Sequence, residues 1–96
     1  MRFYIIYPPK KTENFFERIH ALEDSIIKDG HIVLNPLPVN VETENPDYDI
    51  VDNFRAYFPL ISKCDVVCAM DGYAKTDLGN KAMAEAMLEK KIIIFE

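Results

Sequence analysis

Short apolar runs alternate with amphipathic stretches along the whole chain, a pattern that predicts parallel strands joined by helices. Phe3 to Tyr7 is continuously apolar, as expected of a strand covered on both faces, and Pro8-Pro9 stops it. Phe15, Ile19, Leu22 and Ile26 then recur at four, three and four residues, which places them on one helical stripe. Asn14 and Glu17 have the spacing of a capping box, and Asp29-Gly30 ends the helix, because glycine takes the left-handed conformation without strain. His31 to Leu34 reads as the second strand, closed by Asn35-Pro36.

Residues 35 to 49 carry three prolines among Asn, Asp and Glu and predict an irregular excursion. A second helix follows from near Pro46, with an apolar face of Ile50, Val51, Phe54, Tyr57 and Ile61, and Pro59 should kink or break it. Val66 to Met70 is the third strand, Asp77 to Glu89 the third helix, and Ile92 to Phe95 the last strand. Right-handed crossovers turn this β-α-β-α-β-α-β order into a three-layer α/β domain, Rossmann- or flavodoxin-like. Its sheet is open, parallel and four-stranded, in the order 2-1-3-4. The switch point then lies between strands one and three, so Tyr7-Pro8 and Asp71-Gly72-Tyr73 meet at one crevice.

A chain of 96 residues is expected to form a single domain, 1–96, since two halves would each lack a core. So small a core favours self-association, most simply as a homodimer. The net charge of −5 argues against nucleic acid or an anionic membrane as the main partner. No apolar stretch approaches a membrane span, and Met1 to Ile6 meets Pro8 too soon for a signal peptide, so a cytoplasmic location is expected. Cys64 and Cys68 lack the further Cys or His pair of a metal set and read as buried reduced thiols; neither a metal nor a cofactor is implied.

The chemistry-bearing residues cluster at the predicted crevice. Thr76 or Asp77 can cap the third helix, whose N-terminal end attracts phosphate or carboxylate, and Lys10, Lys11, Lys75 and Lys81 are available to add charge. The plain alternative is that Asp77 only caps and the lysines are solvated. Gly72 to Lys81 lacks the Lys-Ser/Thr ending of a phosphate loop, which excludes a Walker-type NTPase. Tyr4, Tyr7 and Tyr73 offer flat faces for a base; Tyr4 serves equally well as core, whereas Tyr7 and Tyr73 stand at strand ends, where a ligand role is favoured. His20 and His31 read as surface or boundary residues rather than catalytic ones.

Two strings, Gly30-His31-Ile32-Val33-Leu34-Asn35-Pro36 and Cys64-Asp65-Val66-Val67 running on to Gly72-Tyr73, resemble the nucleoside 2-deoxyribosyltransferase superfamily. The likeness is to its small phage and bacterial branch, and also to deoxynucleoside 5′-monophosphate N-glycosidases. Phe3-Tyr4-Ile5 running to Pro8, Phe16 to Leu22, Leu60 to Asp65, and Thr76 to Ala86 extend it over nearly the whole chain. The resemblance implies N-glycosidic chemistry on nucleosides or their monophosphates, by a glutamate on the third helix and an aspartate on the preceding one. The nucleophile's place falls on Lys81, Ala82 or Met83, and the second carboxylate's on Tyr57. The family's first-loop glycine falls near Ile6 or Tyr7.

The expectation is therefore a protein that binds a nucleoside, nucleotide or related small molecule through Tyr7, Asp71, Gly72, Tyr73, Thr76 and Asp77, without transferase activity. One alternative is an active N-glycosidase or deoxyribosyltransferase with Glu85 as relocated nucleophile and Asp71 as proton donor. Another is an interaction module with a vestigial pocket, using its acidic 42 to 52 loop.

Overall fold

The computed structural model describes residues 1–37 and 58–96. The elements are β1 (Arg2–Ile6), α1 (Phe15–Lys28), β2 (Ile32–Val33), a 3-10 segment (Phe58–Lys63), β3 (Val66–Ala69), a 3-10 turn (Tyr73–Lys75), α2 (Asp77–Leu88) and β4 (Ile92–Phe95). All pairings are parallel and the sheet order is β2-β1-β3-β4, as the pattern predicts. This is the flavodoxin-like arrangement. The expected second helix before Phe58, the excursion beyond Leu37 and the acidic 42 to 52 loop lie outside the described residues.

The two-residue alternation of the strands divides the core between two layers. Phe3, Ile5, Val66 and Cys68 pack with Phe15, Ile19 and Ile26 beneath α1. Tyr4, Ile6, Val67 and Ala69 pack with Ile61, Ala82, Met83 and Ala86 on the opposite face. Ile5 and Ile19 are almost wholly buried, each contributing roughly 1.5–3 kcal/mol of apolar transfer. Both cysteines are free and buried, Cys64 in the second layer and Cys68 in the first. Burial is the main cause of the upward shift of both thiols, so they are poor nucleophiles.

Three local expectations are corrected. Asn14 does not form a capping box: its backbone is left-handed (φ 57°) and its side chain makes no cap hydrogen bond. Side-chain capping needs an extended residue, whereas here the turn bonds Thr12 N–H to Pro9 O and Phe15 N–H to Thr12 O deliver the chain to the helix. The 58–63 stretch, expected as the end of the second helix, is 3-10 rather than α-helical, with Pro59 near its start; Ile61 on its expected apolar face is fully buried. β2 is two residues long rather than four, because Asn35 replaces its continuation. The C-terminus of α1 follows the sequence reading, with Gly30 at φ 87° and bonds from Gly30 N–H to Ile27 O and His31 N–H to Ile26 O.

Asn35 is fully buried, and its carboxamide pairs with both backbone groups of Ile5: Ile5 N–H donates to Oδ1 (2.9 Å) and Nδ2 donates to the Ile5 carbonyl (2.8 Å). Asp65 fixes the other end of β1. Its Oδ2 accepts from Arg2 N–H (2.8 Å), while its own N–H donates to Arg2 O (2.8 Å). The Arg2 N–H is the main cause that holds the Asp65 carboxyl below its usual range; desolvation opposes it, and the charges of the Arg2 guanidinium and the chain's amino terminus add to the lowering.

Asn35→Ala is expected to cost roughly 2–4 kcal/mol in urea denaturation, since two buried backbone groups lose their partners. Because folding lowers the Asp65 pKa, its contribution is present above about pH 4 and is lost as pH falls through the folded value. The stability gap between wild type and Asp65→Asn should therefore be widest at neutral pH and close on acidification; a gap that widens in acid would contradict the assignment.

Candidate functional site

The crevice forms where β1 and β3 end side by side. Ile6 is in register with Ala69, and Met70 N–H donates to Ile6 O (3.0 Å). The chain then reverses: Tyr73 N–H donates to Met70 O (3.1 Å) across a turn whose Gly72 has φ 93° and ψ −1°. Those angles suit the third position of a type II turn, where glycine is favoured. A Cβ on Gly72 would lie 3.5 Å from Pro8 Cβ, so the β3 loop sits against the Pro8-Pro9 stop of β1 as the topology predicted.

The helix start is closely braced. Thr76 is the cap: its hydroxyl accepts from Gly79 N–H (2.8 Å) and donates to Tyr73 O (3.2 Å). Asp77 stands in the first turn of α2, where its charge complements the helix end, and is not the cap. With both roles of its hydroxyl engaged, Thr76 is a brace rather than a ready donor to phosphate. Gly79 permits this packing, because a Cβ there would fall 2.1 Å from Tyr73 O and 2.7 Å from Thr76 Oγ1.

A cleft of about 490 Å³ opens over the turn, lined among others by Asp71, Gly72, Tyr73, Lys75, Phe95 and Glu96. Its size is in the range of small-molecule sites. Tyr73 and Phe95 form an aromatic wall, their ring centres 6.3 Å apart and tilted by 38°. Glu96 accepts from Asp71 N–H (3.0 Å) and from the Arg18 guanidinium of α1, tying the last strand to the loop and to the first helix. Burial, followed by the negative charge of Glu96, raises the Cys68 thiol.

Of the residues expected at the site, Asp71, Gly72 and Tyr73 come together in this cleft, while Thr76 and Asp77 stand beside it. Tyr7 is elsewhere: it is buried in the α1 layer, and its hydroxyl donates to the Asn35 carbonyl, so its ring is core. Glu85 lines a separate hollow of about 270 Å³ with Pro59, Ser62 and Glu89. Glu85 and Asp71 therefore do not converge. Lys75 is the one of the four named lysines that lines the crevice. Phe95, Glu96 and Arg18 were missed by sequence reasoning. The strand order held the signal for the first two, since it sets Phe95 beside Ala69; the Arg18 contact spans 78 residues and leaves no local trace.

No family model matches the sequence, and no curated protein does. The fold is similar to the solved structure of the Clostridium botulinum CMP N-glycosidase BcmB. The TM-score is 0.68 at 20% identity, over 99% of this chain and 70% of that one. The likeness is one of fold.

Thr76→Ala is expected to lower stability by about 1 kcal/mol, the usual worth of a hydroxyl cap. Gly79→Ala should cost more and displace the 73–75 turn, because the clash is with a backbone carbonyl. Urea midpoints, together with amide chemical shifts of residues 73–75, measure both effects.

Proposed function

We propose that this protein binds a nucleoside or nucleotide in the Asp71–Tyr73 crevice and does not cleave its glycosidic bond. The observation that carries this reading is the meeting, in one hollow at the C-terminal end of β3, of an aromatic wall with Asp71 and Lys75. Open α/β sheets hold ligands at that end. An aromatic face suits a planar base, a carboxylate accepts from ribose hydroxyls, and an ammonium group complements a phosphate. The similarity in fold to an enzyme whose substrate is CMP supports the same ligand class.

Inactivity is inferred from the helix that the family resemblance singles out. Its nucleophile position falls on Lys81, Ala82 or Met83, none of which is a carboxylate, and Ala82 and Met83 are buried against the sheet. Glu85 is exposed on another surface, so the relocated-acid alternative loses its geometry. Among the described residues, the carboxylates lining the crevice are Asp71 and Glu96, and Glu96 is engaged by Arg18 and the Asp71 N–H.

Calorimetry across cytidine, CMP, other mononucleotides and cyclic nucleotides is expected to reveal binding. Tyr73→Ala should weaken it roughly 5- to 150-fold, the range of one base–aromatic stack. Asp71→Ala should weaken nucleoside binding as well. Chromatography of the same mixtures should show no base release above background. Absence of binding, or binding indifferent to both substitutions, would transfer the function to a protein-interaction role; base release abolished by Glu85→Ala would establish the glycosidase.

A further inference from the structure

The outer edge of β4 is the longer of the two strand edges at the margins of the sheet, four residues against two in β2. Ile92 and Glu96 N–H groups point inward, to Asp65 O (3.4 Å) and Ala69 O (3.0 Å). By the alternation of a strand, Ile93 and Phe95 direct their N–H and C=O groups outward. No described residue pairs with them. The flanking side chains are apolar and exposed: 55% for Ile92, 41% for Ile94 and 66% for Phe95. Proteins ordinarily blunt such edges with lysine, proline or a bulge, and Ile92–Phe95 has none of these.

We propose that a second copy of this chain covers the edge, its β4 antiparallel to the first about a two-fold axis through Ile93, so that two sheets become one of eight strands. Three features fit this occupant. Outward-facing residues meet in this register: Ile93 pairs with Ile93 of the second copy, and Phe95 faces Lys91. The Ile93 pair exchanges two hydrogen bonds and each Phe95 N–H reaches a Lys91 carbonyl, about four bonds in all, because Lys91 N–H is already held by Ala86 O (3.0 Å). Ile92 then opposes Ile94 of the other copy, making a row of four isoleucines on the α1 face.

The third feature is charge. The stretch Lys90-Lys91-Ile92-Ile93-Ile94-Phe95-Glu96 is basic at its start and acidic at its end. Antiparallel pairing brings Lys90 to Glu96 of the other copy, whereas parallel pairing would stack like charges; only the antiparallel form has the self-complementarity of a two-fold interface. It also sets Lys90 of the second copy at the rim of the crevice that Glu96 lines. The proposal stands whether or not that crevice binds a nucleotide.

Sedimentation equilibrium at micromolar concentration is expected to give a dimer. Ile92→Lys and Ile94→Lys should each give a monomer with unchanged circular dichroism, since both side chains are exposed in the single chain. Chains carrying Ile92→Cys or Ile94→Cys, mixed under mild oxidation, should cross-link several-fold more than either alone, because position 92 faces 94 across the axis. A wild-type monomer, a dimer that survives both lysines, or a mixture no better cross-linked than its components would overturn the proposal. So would a monomer whose Ile93 and Phe95 amides resist hydrogen exchange, which would assign the edge to a segment of the same chain.

Discussion

β1 is a central strand, so its backbone groups need partners on both sides, yet on the β2 side the ladder ends where Leu34 N–H donates to Phe3 O (2.8 Å). The Asn35 carboxamide closes that deficit. It presents one acceptor and one donor in the spacing of a peptide group and engages Ile5 N–H and C=O in a fully buried setting. Unpaired, those two groups would each cost on the order of 1–3 kcal/mol. The same residue's carbonyl receives the Tyr7 hydroxyl, which fixes how β1 leaves the sheet towards Pro8-Pro9. Since the β3 loop rests on those prolines, the position of Asp71, Gly72 and Tyr73 depends on a side chain in the second strand's turn.

From that anchor the crevice is assembled by short-range constraints. Gly72 supplies a backbone turn that other residues adopt only with strain, Thr76 joins the turn to α2, and Gly79 allows the two to touch. Glu96 adds a long-range tie, linking the loop amide and α1 through one carboxylate oxygen. Braced in this way, the hollow is preorganised, which reduces the ordering cost of holding a ligand.

The fold was legible because each strand is a short apolar run bounded by turn residues and each described helix a longer stripe at helical spacing, so that length, boundaries and period together distinguish them. Parallel order and the crevice position followed from chain connectivity. Single residues were less legible. Tyr7 looked like a ligand residue at a strand end, but its position alternates onto the α1 face, and its hydroxyl found a buried carbonyl. Asn14 and Glu17 had capping-box spacing, yet a left-handed Asn14 cannot offer its side chain to the helix. The ambiguity between Thr76 and Asp77 was resolved by one hydroxyl accepting from Gly79. Asn35 was read as a strand stop, and its carboxamide ladder is invisible to patterns of polarity.

The proposed nucleotide site is the Asp71–Tyr73 crevice. The most direct test is a titration of the isotope-labelled protein with CMP, followed by amide chemical shifts. Saturable changes confined to residues 71–75 and 95–96 are the predicted result. No saturable change, or changes centred on Ser62, Glu85 and Glu89 in the other hollow, would contradict it.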